Sequence, residues 1–208
     1  HKEGVKKARL AVEFFLEKEI DNLTLFAFST ENWGREEREV KVLLKLFLEA
    51  INEQTPDLVK NKVKLNFIGE ISRFDKVLMN KIKNSQIKTS QYDPKMNLNI
   101  AISYGGRWDI EQALKKIIKD LLKNKIKIKN LSEDLISNYL STSSIPDPDL
   151  IIRSAGEQRI SNFFLWQAAY SEMYFIKKLW PDFIEKDFQD SLDEFSLRKR
   201  KFGVETGA

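Results

Sequence analysis

The run Arg153-Ser154-Ala155-Gly156-Glu157-Gln158-Arg159-Ile160-Ser161-Asn162 puts two guanidiniums, two hydroxyls and a glycine directly after a short β-branched stretch. A guanidinium donates two parallel hydrogen bonds to phosphate oxygens, each charge-assisted bond contributing about 1.5 to 3 kcal/mol where water is kept out. Arg153, Arg159 and Ser161 are therefore the leading candidates for gripping a phosphate or diphosphate; isolated surface ion pairs are the competing account. Ser29-Thr30-Glu31-Asn32-Trp33-Gly34-Arg35 crowds hydroxyls, an amide, an indole and a guanidinium into one loop. Its small polar residues suit the cap of a helix whose first turn holds Glu36, Glu37 and Glu39, but capping requires neither Trp33 nor Arg35. Tyr104-Gly105-Gly106-Arg107-Trp108-Asp109 is a two-glycine turn into a helix, where backbone amides approach an anion closely, although it is neither a Walker loop nor a dinucleotide fingerprint. Glu172 stands in the otherwise apolar or aromatic run 166–175 and needs a partner; a salt bridge and a metal fit it equally well. Asp147 and Asp149, alternating with prolines, read as a rigid loop.

These candidates need a frame that brings strand ends together. Short β-branched or aromatic runs at 23–28, 63–68, 98–103, 150–153 and 173–176 read as strands. The apolar spacing of Val40, Leu43, Leu44, Phe47, Leu48 and Ile51, and of Ile110, Ala113, Leu114, Ile117, Ile118 and Leu121, predicts amphipathic helices. The alternation implies one α/β domain over residues 1–208, with a largely parallel central sheet flanked by helices. In such sheets ligands lie beyond the carboxyl ends of the strands, where the three loops fall. Val42 and Leu46 widen the apolar arc of the first helix beyond one sheet-facing stripe, which calls for a second packing neighbour or for the wall of an apolar cavity.

Composition narrows the chemistry. Without cysteine the chain has no disulfide, zinc thiolate or thiol nucleophile, which suits a reducing cytoplasm, and its single histidine excludes histidine metal clusters. A net charge of +4 is too slight to coat nucleic acid but suits an anionic substrate. The lysines of 115–129 fall mostly opposite the apolar face of their helix, as on a solvated face. No apolar run approaches the roughly 20 residues a membrane span needs.

Taken together, the blocks His1-Lys2-Glu3-Gly4, 25–33, 99–107, 146–153, 156–163, 171–175 and 179–183 resemble the cis-prenyltransferase family along almost the whole chain. The resemblance implies that isopentenyl diphosphate is condensed onto an allylic prenyl diphosphate, farnesyl diphosphate in the bacterial members, giving a long polyprenyl diphosphate for the cell-wall carrier lipid. By the same resemblance, Arg153, Arg159 and Ser161 hold the isopentenyl diphosphate and Glu172 helps position Mg²⁺. Asn32, Ser29 and His1 serve the reacting centre and proton removal; Trp33, Arg35, Phe28 and Glu39 bind and orient substrate. It implies further an elongated apolar tunnel, for which Ala27, Val42, Leu43, Leu46, Phe47 and Trp180 are the candidates, with ordinary core packing as the competing account of each. A homodimer that is cytoplasmic and touches the inner membrane face transiently is also implied. The family's Asp-Gly-Asn-(Gly/Arg)-Arg-Trp loop, which supplies a Mg²⁺ aspartate and an allylic diphosphate cradle, has no counterpart in these residues. The expectation is that the chain resumes at His1 after that loop and lacks the N-terminal strand with it. A non-catalytic subunit partnering an active prenyltransferase is the alternative. Glu36 replaces a usual proline at a helix start that tolerates either.

Overall fold

In a computed structural model describing residues 2–199, helices alternate with strands as the periodicity implied. They are α1 (Lys2–Glu17), α2 (Glu37–Lys60), α3 (Lys76–Thr89), α4 (Gly106–Leu122), α5 (Glu133–Tyr139) and α6 (Glu185–Leu197). The strands are β1 (Asn22–Ser29), β2 (Val63–Ile68), β3 (Met96–Tyr104), β4 (Leu150–Arg153) and β5 (Glu172–Phe175). The pairings are all parallel, as expected, but among the described residues they form two sheets, one with the order β1-β3-β2 and one of β4 with β5. Neither β1 nor β4 has a strand partner on its second edge there. A cavity lies between those two edges.

Side-chain alternation along the strands divides the core. Leu23, Leu25, Leu65, Leu98 and Ile100 pack under Ala11, Phe14 and Phe15 of α1 and Phe188 of α6. Phe26, Ile68 and Ala101 pack against Phe163 and Phe164. Phe28 and Ile102 meet Val40 and Ile51 of α2 and Leu78 and Ile82 of α3. One of the buried polar side chains lies at the middle of the sheet. Asn99, at the centre of β3, is opposite Thr24 and Asn66 in the two registers, and its amide joins them, accepting from Asn66 Nδ2 at 3.0 Å and donating to Thr24 Oγ1 at 3.4 Å. The pairing satisfies a side chain that would otherwise be costly to bury.

The helix predicted from Val40 to Ile51 runs on through Pro56 to Lys60. Proline removes one backbone donor from the ladder, and here it falls on the exposed side, while the neighbouring Thr55 hydroxyl donates to the Ile51 carbonyl at 2.5 Å. The register of β1 against β3 shifts between Phe26 and Phe28 and again before Ser29. Such irregularities bend a strand end and re-aim its side chains, here at the entrance to the loop that begins with Ser29.

Candidate active site

The loops following β1, β3 and β4 meet at one end of the molecule. Arg153 ends β4, and its Nη2 donates to Ser161 Oγ at 3.4 Å, so these two predicted residues are together. The Arg153 Nε is buried without a hydrogen-bond partner. Orphaned buried donors are rare, and an anionic oxygen is the acceptor this one suits. Arg159 is largely exposed and forms an ion pair with Glu157. The backbone of the loop that follows β4 is unusual: Ala155, Ser161, Asn162 and Phe164 have φ of 68°, 49°, 60° and 45°. Left-handed conformations at non-glycine residues cost roughly 1 to 3 kcal/mol each and persist only where neighbours hold them. Here the Gly106 N–H donates to the Asn162 carbonyl at 2.6 Å, Phe163 stacks on Phe26 at 4.6 Å, and Phe164 is buried beside Tyr104.

Asn162 does more than accept that bond. Its Nδ2 donates to Glu31 Oε1 at 2.6 Å, and its Oδ1 accepts from the Arg107 backbone N–H at 2.9 Å. Against burial, which works to raise it, hydrogen bonds from Asn162, its own backbone, Thr30 and Ser29 hold the Glu31 carboxyl below its ordinary value. Gly105 permits the crossing: a Cβ there would stand 2.5 Å from Thr30 Oγ1 and 2.8 Å from Asn162 Nδ2.

In the β1 loop, Asn32 Oδ1 accepts from the Ser29 N–H at 2.9 Å and closes the 3-10 turn Thr30–Gly34; α2 itself starts from Glu36 with no side-chain cap, so the capping expected there falls on the preceding turn instead. Trp33 donates from Nε1 to Ser103 Oγ at 2.9 Å, stands edge-on to buried Phe28 at 5.2 Å, and carries the Arg73 guanidinium 4.5 Å above its ring. Arg35 and Glu39 bind each other at 2.5 Å across one turn of α2. His1, predicted to serve the reacting centre, lies outside the described residues.

Glu172 is not brought beside Arg153. In the parallel β4–β5 pair it is opposite Leu150, whereas Arg153 is opposite Phe175, three residues further on. That separates them by about 10 Å at the usual rise per residue. Of the two partners open to Glu172, the structure supplies the cation: Arg198 donates to its carboxylate at 2.9 Å. Among the described residues no group of three or more His, Asp or Glu side chains could hold a metal ion. These residues do not by themselves compose a magnesium site.

The cavity between the sheet edges measures about 1040 Å³. Ala27, Phe28, Leu43, Leu46, Phe47 and Trp180 line it, and Arg153 and Arg159 are among its charged lining residues. Residues 21–28 and 145–154 line it without interruption, so it runs along β1 and β4. Trp180 also braces the fold, donating to the Gly4 carbonyl at 3.0 Å. Val42 is a correction: it is 48% exposed and absent from the lining, because the apolar arc of α2 is wider than its buried face and Val42 falls on the solvent side. Asp147, also in the lining, has its carboxyl pushed up by burial.

Two structural groups escaped the sequence reading. Asp109, 1% exposed, accepts from Tyr104 OH at 3.0 Å, Gln167 Nε2 at 3.1 Å and the Ser141 N–H at 2.7 Å, tying α4 to the segment before β4. Burial, with Asp109 alongside, pushes the Tyr104 phenol far above its ordinary range, so it remains a donor. Asn162 and Glu31 are the second group. The available signal was that asparagine tolerates left-handed backbone better than most residues, and it sits next to Ser161 in the loop.

Residues 1–203 match the prenyltransferase family of undecaprenyl diphosphate synthases. A ditrans,polycis-undecaprenyl-diphosphate synthase, (2E,6E)-farnesyl-diphosphate specific, from Photorhabdus laumondii is 44% identical over 203 residues, covering 98% of this chain and 80% of the relative. One of the same description from Coxiella burnetii is 44% identical over 204 residues, covering 98% and 86%. Among solved structures, lavandulyl diphosphate synthase from Lavandula x intermedia, in complex with dimethylallyl diphosphate, superimposes with a TM-score of 0.94 at 33% identity, covering 98% of this chain and 87% of that one.

Proposed function

Because this chain belongs to the undecaprenyl diphosphate synthase family of prenyltransferases, we propose that it extends farnesyl diphosphate with isopentenyl diphosphate in cis geometry to a long polyprenyl diphosphate, the undecaprenyl one. The observation that carries the reading is that Arg153, with its orphaned Nε, lines a largely apolar cavity of about 1040 Å³. A polar grip and an apolar chamber side by side are what a diphosphate with a hydrocarbon tail requires. The relatives are synthases, which favours catalysis over a partner-subunit role.

In the proposed reaction the bond between the allylic carbon and its diphosphate oxygen breaks, and pyrophosphate leaves with the electron pair. The terminal alkene of isopentenyl diphosphate forms the new carbon–carbon bond to that carbon, and loss of one proton restores a double bond. Arg153, Arg159 and Ser161 hold the isopentenyl diphosphate through its oxygens, so that its alkene faces the allylic carbon. Asn32, Ser29 and His1 attend the reacting centre and the departing proton, with Trp33, Phe28, Arg35 and Glu39 orienting substrate around it. The tail enters the cavity past Ala27 and along Leu43, Leu46 and Phe47. Each added isoprene buries five carbons, worth about 4 kcal/mol at roughly 0.8 per CH₂. Magnesium dependence is proposed from diphosphate chemistry, with Glu172, paired with Arg198 in this structure, as the candidate ligand among the described residues. A homodimer and a cytoplasmic protein in transient contact with the membrane that receives the product complete the proposal; among the described residues no helix is long and apolar enough to cross a membrane.

The test is the product ladder of the full-length protein given farnesyl diphosphate and labelled isopentenyl diphosphate. Long cis products are expected, and Ala27→Leu, narrowing the cavity beside β1, shortens them. A ladder unchanged by Ala27→Leu removes the cavity from the tail's path, and an absence of elongation by the full-length wild type sinks the reading.

A further inference from the structure

Loops that follow three different strands are fastened at one side chain. Asn162 binds the Glu31 carboxylate on the β1 loop, the Arg107 backbone at the start of α4 and, through its own carbonyl, the Gly106 N–H. We infer that Asn162, latched to Glu31, is a positioning residue that keeps the diphosphate loop in its binding form; this rests on reading Arg153, Arg159 and Ser161 as the isopentenyl diphosphate grip.

The chemistry of the side chain is specific. A primary amide offers a donor and an acceptor together, and position 162 uses both, the donor toward a carboxylate and the acceptor toward a backbone N–H. Alanine supplies neither, and aspartate supplies only the acceptor. Asparagine also tolerates the left-handed backbone at φ 60° that the position demands. Its neighbour Ser161, at φ 49°, is likewise in a sparsely populated region and carries the hydroxyl that meets Arg153. Release of the latch lets this strained pair relax and separates Ser161 from the guanidinium. Because Glu31 is held ionised by several donors, the bond it accepts is charge-assisted and correspondingly strong. Gly105 is part of the device, since a Cβ there would occupy the path of the Asn162 amide. The consequence is thermodynamic: if only a fraction of molecules holds the loop in its binding form, apparent affinity falls by that fraction while the chemistry of the bound state is preserved.

The experiment compares Asn162→Asp, Glu31→Gln and the double variant by calorimetric titration with isopentenyl diphosphate, and by steady-state kinetics at saturating farnesyl diphosphate in the full-length protein. Asn162→Asp keeps side-chain size, left-handed tolerance and the acceptor for Arg107, but sets one carboxylate against another. Its Kd and KM for isopentenyl diphosphate rise about tenfold, the loss expected for one charge-assisted hydrogen bond, with kcat within about twofold. Glu31→Gln alone, at a position with no left-handed backbone, moves the same values in the same direction by about threefold, having lost only the charge. In the double variant the new amide at position 31 donates to the new carboxylate at position 162, and affinity returns to within about threefold of wild type. A weakening that the double variant does not restore, or a fall in kcat at unchanged KM, overturns the latch. Arg153→Met is titrated alongside: if it weakens binding while Asn162→Asp does not, the latch alone fails, and if Arg153→Met itself leaves Kd unchanged, the grip reading fails and the latch with it.

Discussion

Arg153→Met should make the protein bind worse and fold no less well. In the free protein the Arg153 guanidinium has one long hydrogen bond, 3.4 Å to Ser161 Oγ, and a buried Nε with no partner. Replacing an unsatisfied buried donor by a thioether of similar reach removes a desolvation cost of about 1 to 3 kcal/mol, against which the loss of the long bond contributes about 1. The net effect on folding is therefore between zero and about 2 kcal/mol of stabilisation. Binding has the opposite sign. Two charge-assisted bonds from the fork to a diphosphate, each about 1.5 to 3 kcal/mol, are lost together, a loss of at least about a hundredfold in affinity for isopentenyl diphosphate. Urea unfolding followed by circular dichroism measures the first quantity and calorimetric titration the second. A variant destabilised by more than about 1 kcal/mol would mean that the guanidinium is satisfied in the folded chain, and one that binds within a few fold of wild type would mean that it does not meet the ligand.

Other expectations follow from the same geometry. Arg159→Ala, removing a largely exposed arginine held to Glu157, should raise the KM for isopentenyl diphosphate by about tenfold with little change in thermal stability, as activity assays and thermal melts would reveal. Asp109→Ala leaves the buried Tyr104 hydroxyl and the Ser141 N–H without an acceptor and weakens Gln167, which retains Thr142. Two orphaned donors at about 1 to 3 kcal/mol each predict a loss of roughly 2 to 6 kcal/mol in urea unfolding. Glu31 has a folded pKa depressed below its ordinary 4.5, so its contribution to stability is present above that value and is lost as the pH falls through the lower folded value. In acid titrations Glu31→Gln should flatten that part of the curve; an unaltered acid limb would show that the carboxylate is not held by its donors.

Strands and loops were legible in the sequence to different depths. Each short β-branched or aromatic run became a strand, β3 buried along nearly its whole length and the others only in part, and the polar residues following β1, β3 and β4 marked the site by position alone. Arg153 and Ser161 could be paired in advance because one loop carries both. Glu172 could not be placed: composition showed that it needed a partner, while the choice of Arg198 depends on where α6 ends against β5. Val42 misled because an apolar residue on a helix says nothing of which neighbours reach that side; its flank of α2 meets solvent. The Asn162–Glu31 bond joins residues 131 apart in sequence, a separation at which local patterning carries no signal.

Asn99 acts as a ruler for everything above it. A slip of one residue between β1 and β3 would turn Thr24 away and face the central amide with leucine, so the penalty falls at the middle of the sheet, far from the chemistry. The same slip would carry the Tyr104 end of β3 past the Ser29 end of β1 by about 3.3 Å, enough to part Gly105 from Thr30 and to break the meeting of the loops. A single polar side chain deep in an oily layer thus sets the alignment tolerance of loops that begin five residues further along the strand.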